Sequence, residues 1–103
     1  MSLFLAAIAP APIAIPEALK RELRCVVVIA IYGGPKLTKD GAFFSAIVGA
    51  EIMDATKETR ESVRETMLEE AAVVRKGGKP KPDTVAACIT QMRARIAVEG
   101  VTP

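Results

Sequence analysis

The chain has 103 residues, half of them apolar and only 4% aromatic, with 14 basic and 12 acidic side chains. That length fits one domain of ordinary size, and a net charge of +2 is too small to set up a long-range field toward nucleic acid. Histidine does not occur, which removes the commonest general base and the commonest metal ligand.

Residues 1–15 carry no charge and are almost entirely apolar. Pro10 and Pro12, with Pro16 just after, forbid a continuous helix there and favour an extended arm. An apolar strip that cannot fold on itself must be covered by the rest of the chain, another subunit or a lipid. Leu3, Phe4, Leu5, Ile8, Ile13 and Ile15 are its large side chains and are the expected subunit-interface residues. A cleaved signal would carry its basic residues before the apolar core, but the first basic residue here is Lys20. The clean apolar runs at 1–16, 25–34 and 42–50 are too short or too proline-broken to span a bilayer. Neither a cleaved signal nor a transmembrane helix is expected, and a cytoplasmic or virion location follows.

Pro16 suits the first position of a helix, with Glu17 in its first turn. Leu19, Leu23, Val26, Val27 and Ala30 keep a helical period. The run Cys25 to Tyr32 is apolar on all sides and β-branched, so periodicity leaves it open between helix and strand. Helix is favoured, because nothing stops it before Gly33-Gly34-Pro35. Thr38 is the expected cap of the next helix. Residues 42–53 are nearly all apolar and are expected inside the protein, with the small residues Ser45, Ala46, Gly49 and Ala50 marking a close helix contact. From Asp54 the chain turns polar. One helix over about 39–76, or two joined near a capping Asp54, is expected, supported by the pairs Lys57 with Glu61 and Glu61 with Arg64. Gly77 to Pro82 is a linker. The last helix starts at Asp83 or Thr84, carries the stripe Val85, Cys88, Ile89, Met92 and Ile96, and ends at Gly100. No repeat of 20–50 residues is visible.

The predicted fold is all-α: a single domain over 16–103 of three to four helices, with the extended arm at 1–15. Its expected core is Leu19, Leu23, Val27, Ile31, Phe44, Ile47, Val48, Ile52, Val85, Ile89, Met92 and Ile96. Cys25 and Cys88 stand too far apart for a metal-ligand spacing. They read as buried free thiols in a reducing compartment.

No residue pattern points to catalysis, and no cofactor or metal is expected. Gly33-Gly34-Pro35-Lys36 lacks the phosphate-loop spacing, and Pro35 removes a backbone donor. The carboxylates Asp54, Glu58, Glu61, Glu65, Glu69 and Glu70 read as a solvated face. Arg75, Lys76, Lys79 and Lys81 cluster in seven residues and are the candidate anion contacts.

The stretch Arg24 to Gly41 resembles part of the equatorial domain of group I chaperonins at Arg24, Val26, Val27, Gly33, Pro35 and Thr38 to Gly41. In that family the Thr-Lys-Asp-Gly turn sits beside the nucleotide, and Asp40 matches its acidic member. The likeness covers 18 of 103 residues. The family's glycine-rich phosphate loops are missing on both sides. A second similar run, Asp54 to Arg60, has its counterpart at the far end of that longer chain. ATP binding is therefore not carried over.

The apolar content is high for a lone monomer. The expected role is a structural subunit that packs with copies or partners, as in small phage head, neck or tail parts. The alternatives are a regulatory module binding nucleic acid or an acidic partner through residues 75–81, and a membrane-associated subunit anchored by 1–15 and 42–53.

Overall fold

A computed structural model describes residues 13–99. They form four α-helices, α1 (Glu17–Tyr32), α2 (Thr38–Thr56), α3 (Arg60–Lys76) and α4 (Pro82–Glu99), with a 3₁₀ turn at Pro35–Leu37 and no strand among the described residues. The expected all-helical class is thus found. The arm residues 1–12 lie outside the described residues, as does Gly100.

Helix α1 is the hub. It packs against each of the other three, whereas α3 and α4 do not pack on one another. It runs antiparallel to α2, since Ile29 meets Gly41 at one end while Glu22 and Glu51 share Arg95 toward the other. It runs antiparallel to α4, through Cys25 with Cys88 and Glu22 with Arg95. A central helix must be apolar nearly all round. This explains why residues 25–32 carry no readable period: they are the middle and end of α1, with Val26, Val27, Val28 and Ile29 all buried. The strand alternative is excluded.

The core joins these residues to Leu23, to Phe44, Val48 and Ile52 of α2, to Val63, Ala71 and Val74 of α3, and to Cys88 and Met92 of α4. Six of the twelve expected core residues are fully buried: Leu23, Val27, Phe44, Val48, Ile52 and Met92. The other six, Leu19, Ile31, Ile47, Val85, Ile89 and Ile96, are half-buried.

Local signals shift some boundaries. Pro16 caps α1 rather than opening it, its carbonyl accepting from Lys20 N at 2.9 Å. At the far end Gly34 takes φ +85°, a conformation that side chains disfavour, and its carbonyl accepts from Leu37 N in the 3₁₀ turn. That turn runs straight into α2, so Thr38 is the first helical residue and makes no capping bond. The acidic stretch does not form one helix. The break falls after Thr56, not at Asp54. Lys57 adopts the left-handed conformation at φ 59°, and Thr59 caps α3 by accepting from Ser62 N at 3.1 Å. Lys57 therefore sits outside both helices and faces Asp54 at 3.7 Å rather than Glu61. Helix α4 starts at Pro82, one residue before the expected Asp83 or Thr84, and proline is well tolerated at a helix start.

The cysteines correct the expectation of free thiols. Cys25 and Cys88 are disulfide-bonded, with their Cα atoms 5.0 Å apart. The antiparallel register of α1 on α4 sets the two side chains opposite each other, a proximity that 63 positions of sequence separation conceal.

Candidate functional site

Helix α2 is where the structure departs most from expectation. Its stretch 42–53 is not wholly interior. Phe44, Val48 and Ile52 recur every four residues and point to the core, but Ala42, Phe43, Ala46 and Ala50 are exposed and Ile47 is half-buried. Two apolar stripes therefore run along one helix, and only one has a partner in this chain. Exposed apolar residues scattered singly are ordinary, whereas a continuous face marks a binding surface. Phe43 keeps 44% of its surface in solvent.

Each side of this outer stripe opens into a depression. On the α3 side a groove of about 490 Å³ is walled by Ser45, Ala46, Gly49, Ala50 and Met53 of α2 and by Arg60, Val63, Arg64 and Met67 of α3. Gly49 makes this wall possible. A Cβ there would stand 3.3 Å from the Met67 methyl, so the glycine lets Met67 lie across the helix backbone. Ser45 donates a weak hydrogen bond to the Met67 sulfur at 3.9 Å and holds it in place. The small residues expected to mark a close helix contact do so at Ser45 and Gly49, while Ala46 and Ala50 face outward. On the other side a shallower hollow of about 420 Å³ is lined by Phe43, Ala46, Ile47, Ala50, Glu51 and Glu99. Val98 of α4 is 74% exposed, next to Glu99 at this edge.

The surface is framed by charge. Arg60 and Arg64 stand along the α3 rim of the groove. Behind α2, Arg95 of α4 lies between Glu22 of α1 and Glu51 of α2. Its Nε is 2.8 Å from a Glu22 oxygen, and its Nη2 faces Glu51. Neither nitrogen is aligned as a hydrogen-bond donor, so the contact is ionic. It ties three helices together at the level where the groove lies. A second ion pair, Arg24 with Glu70, fastens α1 to α3.

Of the expected interface residues, Leu3, Phe4, Leu5 and Ile8 lie outside the described residues. Ile13 is half-buried, and Ile15 is half-buried against its own chain's core. Arg75, Lys76, Lys79 and Lys81 are all exposed at the α3–α4 connection, far along α3 from the groove, and none forms an ion pair among the described residues. Five of the six carboxylates read as a solvated face, Asp54, Glu58, Glu61, Glu65 and Glu69, are exposed, and Glu70 is drawn in by Arg24. No group of three His, Cys, Asp or Glu among the described residues is arranged to hold a metal ion. None of the described helices is long and apolar enough to cross a membrane.

The outer α2 face has a sequence signal of its own. Ala42, Ala46 and Ala50 repeat every four residues beside Phe43 and Ile47, parallel to the Phe44-Val48-Ile52 stripe. No protein-family model matches the chain, and no curated protein or solved structure is detectably similar to it.

Proposed function

We propose that the chain is a non-enzymatic structural subunit that associates with copies of itself, or with partner subunits, through apolar surface. The observation that carries this reading is the unpartnered stripe Phe43, Ala46, Ile47 and Ala50 on an otherwise ordinary helical domain. Covering such a stripe contributes about 25 cal/mol per Å² of apolar area before the cost of ordering the partners. The uncharged segment 1–12 adds apolar surface of the same kind. A small virion part, such as a phage head, neck or tail component, fits this profile by analogy of shape and surface.

Sedimentation or light scattering of the full chain tests the reading. A particle heavier than the 10.9 kDa monomer is expected, held together equally well at high salt. Removing residues 1–12 should weaken association while leaving helix content intact. The cut belongs before Ile13 because Ile15 packs on the core. A monomer under all conditions overturns the reading.

A second reading has one observation in its favour: Arg75, Lys76, Lys79 and Lys81 are exposed and unpaired among the described residues. They would bind nucleic acid or an acidic partner with an affinity that falls steeply as salt rises. The same salt series separates the two.

A further inference from the structure

We propose that the groove between α2 and α3 seats residues 1–12 of a neighbouring copy of this chain. The inference rests on the assembly reading above and names its contact.

The groove and the segment match in chemistry. The floor is apolar, built from Ala46, Gly49, Ala50, Met53, Val63 and Met67. Small residues at 46, 49 and 50 allow a backbone to approach closely, where a larger side chain would hold it off. The rim supplies the donors of Arg60 and Arg64. An extended peptide inside would have its carbonyls to satisfy, and guanidinium groups donate only. Residues 1–12 bring no charge, and Pro10 and Pro12 bring carbonyls without N–H groups, so this segment offers more acceptors than donors.

Length and direction point to a neighbour. Twelve extended residues reach about 40 Å, while the stretch of α2 from Ser45 to Met53 rises only about 12 Å. Length alone would also let the segment fold back on its own subunit. Direction opposes that. The described chain begins at the bundle end where α1 starts, α2 finishes and α3 begins, at the mouth of the groove. Pro16 has φ −54° and ψ 142°, an extended conformation. A residue before proline is held extended as well. With prolines at 10, 12 and 16, the reversal needed to re-enter the same subunit meets restricted backbone at three places. Leaving straight from the bundle end, the segment meets a second molecule whose outer α2 stripe packs beside it. A two-fold pair would exchange such arms reciprocally.

Complementation between two defective chains tests this. One chain is full length with Ala46→Lys and Ala50→Lys, which blocks the groove but keeps the arm. The other lacks residues 1–12 and keeps the groove. Both positions are exposed, and lysine is a good helix former, so the lysine variant should keep its circular dichroism spectrum. Should it unfold, Arg60→Ala with Arg64→Ala on the exposed rim replaces it. Each chain alone should associate at least about tenfold more weakly than the unmodified protein, and their mixture should recover association. Ala87→Lys, on the exposed face of α4, should assemble normally. If the groove variant assembles as well as the unmodified chain, or the mixture gains nothing, the seat is wrong although the assembly reading stands. If the unmodified chain is itself a monomer, both fall.

Discussion

Cys25 and Cys88 join α1 to α4 by a covalent bond that closes a loop of 63 positions. The helices it joins are the hub and a helix that does not pack on α3, so the bond fastens a member of the bundle that has fewer neighbours to hold it. A loop this long corresponds to about 4 kcal/mol in the chain-entropy account, and about 2–4 kcal/mol is typical in practice. For a domain near 100 residues each kcal/mol moves Tm by about 4–8 °C. Reduction, or replacement of both cysteines by serine, should therefore lower Tm by about 10–20 °C. Thermal unfolding with and without reductant measures this. An unchanged midpoint would mean that the bond does not form in the folded protein.

Arg95 should matter more than either of its acidic partners. It is 22% exposed and Glu22 is 12% exposed, while Glu51 keeps 43% of its surface in water. Arg95→Ala leaves two carboxylates facing one another with their shared cation gone, at a cost of about 1–3 kcal/mol. Glu51→Gln, with solvent beside it, should cost less than about 1 kcal/mol. In the Arg95→Ala background the sign reverses: adding Glu22→Gln should restore part of the loss, because it removes a repulsion. Urea denaturation of the four proteins gives the comparison, and a further loss in the double variant would contradict the arrangement.

The α2–α3 connection predicts two effects of opposite sign. Thr59 caps α3 through its hydroxyl, so Thr59→Ala should destabilise by about 1 kcal/mol. Two residues earlier Lys57 occupies the left-handed region at the end of α2, which costs a residue with a Cβ. Lys57→Gly should stabilise by about 0.5–1 kcal/mol, even though it discards the exposed contact with Asp54. Chemical denaturation midpoints decide both. A stabilising Thr59→Ala or a destabilising Lys57→Gly would show that the turn has another conformation.

Helix positions were legible in this sequence because proline and glycine punctuate it at Pro16, Gly33 to Pro35 and Gly77 to Pro82. The break between α2 and α3 was visible as a change of polarity at Asp54 but was placed three residues early. The polarity change marks where burial ends, whereas the break itself is set by Lys57 turning left-handed and Thr59 finding Ser62 N. The disulfide was not legible, because it depends on the register of two helices far apart in sequence. The candidate site was misread for a simpler reason. An apolar helix looks interior from sequence alone, since hydropathy records what a surface is made of and not whether a neighbour covers it. For α1 that reading succeeded, because three helices surround it. For α2 it succeeded on the Phe44 stripe and failed on the Phe43 stripe.

Phe43 and Phe44 carry this distinction in adjacent positions, and substituting each should produce a different defect. Phe44 is fully buried at the centre of the core. Phe44→Ala should cost about 3–5 kcal/mol, enough to unfold much of the chain near its physiological temperature. Phe43 is 44% exposed on the outer α2 stripe. Phe43→Ser should change stability by no more than about 0.5–1 kcal/mol, since surface positions away from special features tolerate substitution. Its effect should appear in the mass of the particle, because the side chain is the largest apolar group on the face proposed to be covered by a partner. Circular dichroism reports the first defect and sedimentation the second. If Phe43→Ser leaves self-association untouched while the unmodified chain assembles, the contact between copies lies away from this end of α2, and the apolar stripe is an ordinary piece of surface.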